Sequence, residues 1–350
     1  MSDAYRSAPG ARPDTGPGAP RLRVAVVGTG DWWGLQHARV FTERSDVDLV
    51  AIVGRGEERT RVRAAAFGAR PYTVLDEMLD RERPDLVSVC LPNQDHFATT
   101  LGLVRAGVPL LVEKPLVFDL VEADTLLAEA AARDLFFAID FNHRYATPVR
   151  MARAAVDAGR LGRLAFATWR FGGEGSSSHP DANLIETQCH GFDMLEYLAG
   201  PIASVAAEMT ELEGRGHSTM AIALRFASGA VGSLVGSYDS SYAYPDTHRL
   251  ELNGTAGRAV VHDTVRQYEF QRAGETTREV WEAGYFDDNE RTWHRTFERH
   301  VDAVLAALRA GAPPPIHARA GRRALALAAA AIRSFETGRR IAVDGTTEAG

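Results

Sequence analysis

Lys114 is the only lysine in a 350-residue chain that carries 38 arginines. Arginine supplies surface charge as well as lysine does, so a solitary lysine points to work a guanidinium cannot do. An ammonium is a compact donor that can change its protonation state, whereas a guanidinium stays charged. Lys114 stands in Glu113-Lys114-Pro115, directly after the apolar run Val108–Val112. From there its ammonium could hydrogen-bond a substrate hydroxyl and favour the alkoxide. Composition bias with one surviving lysine is the plain alternative.

Glu186, His190 and Asp193 stand at i, i+4 and i+7, the spacing of one helix face. Imidazole titrates near neutral pH, so His190 is the natural proton acceptor. Glu186 could orient a substrate hydroxyl or hydrogen-bond the histidine, and Asp193 fits a role in fixing the helix or a neighbouring side chain. The alternative is an ordinary amphipathic helix with a satisfied buried histidine. Glu, His and Asp can all ligate a metal, but no second His or Cys cluster accompanies them, so no metal is expected.

A third constellation is Gly28-Thr29-Gly30 after the apolar run Leu22–Val27. Glycines there let backbone N–H groups approach a pyrophosphate at a helix N-terminus. Trp33 occupies the place of the third glycine and Gly34 comes one residue late, which a one-residue bulge in the turn reconciles. The second strand ends Val53-Gly54-Arg55, with Arg59 one helical turn on and no carboxylate before Glu57. A carboxylate there would accept from the 2′-hydroxyl of NAD, while arginine pairs with a 2′-phosphate. The expectation is NADP in preference to NAD.

These residues need strands and helices to position them. Residues 21–140 alternate short apolar runs (Leu22–Val27, Leu49–Val53, Pro71–Thr73, Leu86–Cys90, Val108–Val112, Leu135–Ile139) with helical segments. Strands apolar throughout, with helices between them, predict a doubly wound parallel sheet of the Rossmann type. After the helix Val149–Ala158 and the strand Leu164–Phe171, a helix is expected over Glu186–Leu198. From about 203 to 282 strand follows strand, with turns at Ser228-Gly229 and Asn253-Gly254, which predicts a mainly antiparallel sheet. Helices Thr292–Arg309 and Ala320–Thr337 close the chain. The expected division is a disordered Pro/Gly-rich tail (1–20), a nucleotide-binding α/β domain (21–143) and an α+β domain (144–345). At 45 % hydrophobic and 24 % charged the composition is that of a globular chain. The net charge of −7 argues against a nucleic-acid surface. The first 20 residues hold no apolar stretch of a secretory signal, and two cysteines make no disulfide framework. The cytoplasm, and no membrane contact, is the expectation.

The ordered set of motifs resembles the glucose–fructose oxidoreductase/inositol dehydrogenase (Gfo/Idh/MocA) family of nicotinamide-dependent oxidoreductases, over about residues 21–345. It comprises Gly28-x-Gly30 with Gly34-x-x-His37, Leu91-Pro92-Asn93-x-x-His96, Val112-Glu113-Lys114-Pro115, Phe141-Asn142-x-Arg144-Tyr145 and Glu186-x-x-x-His190-x-x-Asp193. The resemblance implies that Lys114 is the catalytic lysine, with Glu113 and Pro115 beside the nicotinamide and the Lys114–Pro115 bond cis. It implies that Leu91, Pro92, Asn93 and His96 line the nicotinamide ribose, and that Asn142 and Arg144 face cofactor or substrate. His96 simply beginning its helix, and Arg144 in an interdomain ion pair, are the alternatives. At Glu186 the family usually has Asp. Arg170, the 172–181 loop, the Tyr238–Asp246 stretch and Tyr285 are the substrate-facing candidates in the second domain. The implied activity is hydride transfer between nicotinamide and a secondary alcohol or ketone of a sugar, sugar derivative or cyclitol. A glycosidase of the same fold, working by transient oxidation and elimination, is the alternative. The implied assembly is a homodimer or homotetramer through an open-faced sheet.

Overall fold

The computed structural model describes residues 20–92, 96–175, 179–212, 214 and 216–343; the tail expected over residues 1–20 lies almost wholly outside these. The first half of the chain builds strands β1 (Leu22–Val27), β2 (Val47–Val53), β3 (Arg70–Tyr72), β4 (Leu86–Val89), β5 (Leu110–Val112) and β6 (Phe137–Ile139). They alternate with helices α1 (Trp33–Thr42), α2 (Glu57–Ala66), α3 (Leu75–Glu82), α4 (His96–Arg105) and α5 (Leu120–Ala131). All the pairings are parallel, in the order β3-β2-β1-β4-β5-β6. Val24, Ala25 and Val26 are wholly buried, as a strand covered on both faces requires. The strand order reverses between β1 and β4, and ligands of doubly wound sheets bind at the carboxyl ends of the strands flanking such a reversal.

The second half contributes α6 (Thr147–Asp157), β7 (Leu164–Gly172), α7 (Cys189–Ala199) and β8 (Ile202–Thr210). Then come β9 (Thr219–Phe226), β10 (Val231–Ser237), β11 (His248–Gly254), β12 (Gly257–His262), β13 (Gln267–Arg272), β14 (Glu279–Glu282), α8 (Trp293–Arg309), α9 (Arg319–Thr337) and β15 (Ile341–Ala342). The nine strands form one sheet, β14-β13-β12-β11-β7-β10-β9-β8-β15. All its pairings are antiparallel except β7 with β10. In β9, Met220, Ile222, Leu224 and Phe226 are buried while Ala221, Ala223 and Arg225 face solvent, so one side of the sheet is open. Helices α6, α7 and α9 pack on the other side.

The packing crosses the boundary expected at 143/144. Phe297, Val301, Val304 and Leu305 of α8 are buried against Val24, Val26 and Phe41, in the core of the parallel sheet. Each such side chain contributes about 1.5–3 kcal/mol, enough to bind α8 to the first sheet although the sequence places it in the second domain. Ala138 of β6 also bridges to His317.

Candidate functional site

The glycine-rich turn fits a dinucleotide. Gly28 has φ +139° and its Cα lies against the end of β4, where a Cβ would stand 2.4 Å from the Cys90 carbonyl oxygen. Gly34 carries the role left open by the late third glycine: a Cβ there would stand 3.0 Å from the Thr29 carbonyl carbon, so only glycine lets the helix close on the turn. Helix α1 begins at Trp33 with no side-chain cap and no acidic residue in its first turn, leaving its N–H groups for an anion. Arg59 is engaged by the same turn, Nε donating to the Thr29 carbonyl at 3.0 Å and Nη2 pairing with Asp31 at 3.0 Å. Arg55 stands exposed just past the end of β2. Leu91 and Pro92 follow β4; Asn93 lies outside the described residues.

Beyond this turn a cavity of about 680 Å³ opens between the two halves of the chain. Its wall includes Trp33, Lys114, Asn142 and His190, so four of the residues singled out by sequence, drawn from four separate segments, meet in one cleft. Lys114 follows β5 and its bond to Pro115 is cis. The Lys114 ammonium donates to the Glu186 carbonyl oxygen at 3.1 Å.

The segment expected as one helix from Glu186 is a π-turn, Asn183–Thr187, followed by α7. The π-turn breaks the i, i+4 register between Glu186 and His190. Its loosened hydrogen bonding presents the Glu186 carbonyl to Lys114 and to the Cys189 thiol, 3.2 Å away. Thr187 and His190 line the cleft and the Glu186 side chain does not.

Other candidates are placed elsewhere. Arg144 forms a bidentate pair with Asp193, at 2.9 and 2.5 Å, and stacks on the Tyr197 ring; it ties the segment after β6 to α7. Asp193 thus fixes a neighbouring side chain. His96 is buried at the start of α4, with Nε2 bonded to the Leu91 carbonyl at 2.7 Å, and holds the post-β4 turn from behind. The Glu113 carboxylate is buried in the Rossmann core rather than in the cleft, 3.0 Å from His37 Nε2. Arg170 lies on the outer face of β7, opposite Trp169 and Phe171, and donates to Asp246. Tyr285 is 85 % exposed and stands against Phe286. Neither Arg170 nor Tyr285 lines the cleft.

The cleft also holds residues that sequence reasoning passed over. His143 stacks on His190, with ring centroids 3.7 Å apart and planes parallel. Trp293 at the start of α8 packs on His143, and His248 at the start of β11 packs on Phe171. Burial, with the Lys114 charge adding to it, holds His143 and His190 well below the ordinary imidazole range. Burial lowers His248 to about 4. All three are therefore neutral at physiological pH, and His190 can accept a proton. His143 occupies the variable position of the motif Phe141-Asn142-x-Arg144-Tyr145, so its adjacency was the available signal; His248 left none.

His37, Glu113 and Asp140 offer ligand atoms within 4.8 Å of one another, but both His37 nitrogens are engaged, Nδ1 with Ser88 at 2.7 Å and Nε2 with Glu113. They form a hydrogen-bonded core cluster.

A six-stranded Rossmann sheet with a glycine-rich turn at its switch point, and an adjoining cleft with Lys114 and His190 on its wall, fit a nicotinamide-dependent oxidoreductase. Residues 22–141 match the model of an oxidoreductase family with an NAD-binding Rossmann fold, and residues 153–343 match that family's C-terminal alpha/beta domain. The chain belongs to the Gfo/Idh/MocA family of oxidoreductases. It is 26 % identical over 345 residues to myo-inositol 2-dehydrogenase of Thermotoga maritima, covering 92 % of this chain and 99 % of that one. Its fold is similar to that of the WlbA dehydrogenase of Bordetella pertussis in complex with NADH and UDP-GlcNAcA (TM-score 0.79, 22 % identity, 93 % of this chain and 98 % of that one). It is also similar to levoglucosan dehydrogenase in complex with NADH and levoglucosan (TM-score 0.81, 19 % identity, 92 % and 99 %). Among the described residues no helix is long and apolar enough to cross a membrane.

Proposed function

We propose that this cleft transfers hydride at a secondary alcohol or ketone carbon of a sugar, sugar derivative or cyclitol. The observation that carries the reading is the meeting of Lys114, from the end of β5, with His190, from α7, on one cavity wall. His190, neutral through burial, takes the hydroxyl proton during oxidation and returns it during reduction. Lys114 donates a hydrogen bond to the same oxygen and stabilises its developing negative charge. Glu186 aims that ammonium through its backbone carbonyl. Gly28, Gly30, Gly34 and the N-terminus of α1 would hold the cofactor's pyrophosphate, and the nicotinamide, when bound, supplies the hydride chemistry. The names of the relatives above, an inositol and a levoglucosan dehydrogenase, support this substrate class.

NADP is the proposed cofactor form, because Gly54-Arg55 follows β2 with no carboxylate to meet a 2′-hydroxyl. A homo-oligomer formed on the open face of the nine-stranded sheet is proposed on Val231, Val235 and Val280, apolar and exposed on its strands. The two buried free cysteines, Cys90 and Cys189, fit a reducing compartment such as the cytoplasm.

The test is turnover of a polyol panel followed by nicotinamide absorbance. Lys114→Met and His190→Ala each lower kcat by about 10²–10⁴-fold while cofactor affinity survives, and Lys114→Arg does not restore activity. Undiminished turnover of Lys114→Met overturns the mechanism. Sugar release without net cofactor reduction would instead establish the transient-oxidation glycosidase.

A further inference from the structure

The chain is rich in arginine, yet among the described residues no arginine lines the cleft. Among the described residues the only carboxylate on the wall, Asp263, is already satisfied: it pairs with Arg266 Nε at 2.9 Å and accepts from the His248 and Asp246 amides. Three of the wall's histidines are neutral. Among the described residues of the wall, the one lysine or arginine is Lys114, whose ammonium is committed to the reacting oxygen. A carboxylate or phosphate on the substrate would therefore be desolvated with no partner, at a cost that decides against it.

What the wall offers instead is rings. From His190 the aromatic path runs to His143 (3.7 Å between centroids), to Trp293 (4.4 Å), to His248 (5.8 Å) and to Tyr242 (6.5 Å). That path is longer than one sugar ring placed beside His190. At its outer end Tyr242 is 55 % exposed and Tyr244 63 % exposed, and both line the same cavity. Exposed aromatic rings grouped at the mouth of a cleft mark a binding surface for an apolar group.

We propose that the substrate is an uncharged glycoside, with its reacting pyranose beside Lys114 and His190, the apolar C–H face of that ring on Trp293 and His248, and an apolar aglycone on Tyr242 and Tyr244. This rests on the oxidoreductase reading above and narrows it, excluding uronates, sugar phosphates and nucleotide sugars.

The test compares phenyl glucoside, methyl glucoside, glucose, myo-inositol, glucuronate and glucose 6-phosphate with the full chain and saturating NADP or NAD. Binding is measured by calorimetry and turnover by absorbance. The expected order of kcat/KM is phenyl glucoside, methyl glucoside, glucose, with the two anions inactive. A stacking contact contributes about two- to tenfold, so Tyr242→Ala and Tyr244→Ala each narrow the phenyl-over-methyl ratio by that factor. Both side chains are solvent-exposed, so the variants keep the wild-type melting temperature. If an anion or myo-inositol is turned over best, or no neutral glycoside binds, the glycoside proposal is overturned while the oxidoreductase reading survives any turnover seen. If phenyl glucoside binds in a Tyr242-dependent way and no sugar reduces the cofactor, the ligand class stands and the redox reading of this cleft falls.

Discussion

His248 makes the protein acid-labile by an amount that can be worked out. The residue opens β11, its ring centroid lies 3.5 Å from that of Phe171, and only 7 % of its surface is exposed. Burial lowers its pKa from 6.5 to about 4, against the opposing pull of the Asp263 carboxylate. The unfolded chain takes up this proton as pH falls through about 6.5, while the folded chain refuses it until about 4. A depressed folded-state value means stability fully present above the unfolded pKa and lost as pH falls toward the folded one. A tenfold difference in proton affinity is worth about 1.4 kcal/mol. The full loss is therefore about 3 kcal/mol by the acid end of the window, with about 2 kcal/mol already gone at about pH 5. His248→Phe keeps the aromatic packing and removes the titration. Urea unfolding of wild type and variant at about pH 7.5 and about pH 5 should show the variant losing about 2 kcal/mol less than wild type. The residual loss in both comes from the other histidines whose pKa burial lowers, His96, His143, His190, His300 and His317. Equal losses in the two proteins would refute the argument.

Arg55→Ala should weaken NADP binding about tenfold or more and leave NAD nearly unchanged, because a charge-assisted contact to the 2′-phosphate contributes about 1.5–3 kcal/mol; calorimetry with both cofactors decides, and tighter NAD than NADP binding by wild type defeats the reading. Asp193→Asn leaves the largely buried Arg144 guanidinium without its counter-charge. It should cost about 3–5 kcal/mol of stability by urea unfolding; a loss under about 1 kcal/mol would show that the pair is not structurally important.

The parallel sheet was legible because its strands, apart from the short edge strand β3, are largely apolar and punctuated by turn residues, from Leu22–Val27 to Phe137–Ile139. Lys114 and His190, which share one cavity wall, were singled out in the sequence by solitude among arginines and by a titratable imidazole, while the helical spacing from Glu186 does not survive the π-turn. Glu186 was misread for a physical reason: periodicity assumes an unbroken α-helix, and the π-turn at Asn183–Thr187 inserts a residue that no local composition announces. Arg170 was misplaced because alternation along β7 gives two faces without saying which one meets the cleft. The burial of Trp169 and Phe171 assigns the inner one. His143, His248 and Trp293 come together from segments far apart in the chain, and nothing local to any of them records the other two.

Lys114 owes its position to both halves of the chain. Its backbone N–H donates to the Glu113 carboxylate at 3.1 Å, which His37 holds at 3.0 Å and Ser88 holds in turn through His37 at 2.7 Å. Asp140 lies beside Glu113, and two buried carboxyl groups so close cannot both be ionised cheaply. Burial and the Glu113 charge push Asp140 well above the carboxylate range. Burial would raise Glu113 as well, but the His37 hydrogen bond and the Lys114 charge bring it below its ordinary value. Asp140 Oδ1 stands 2.6 Å from His300 Nδ1 on α8. The Glu113 carboxylate lies beneath the strand end that carries the ammonium, and the low dielectric of the core strengthens its attraction for Lys114. From above, the π-turn carbonyl of Glu186 receives the same ammonium. A lysine held between a buried carboxylate of the first sheet and a carbonyl of the second half is aimed only when the two halves are docked. Helix α8, packed on the first sheet and bearing both His300 and Trp293, is the element that docks them.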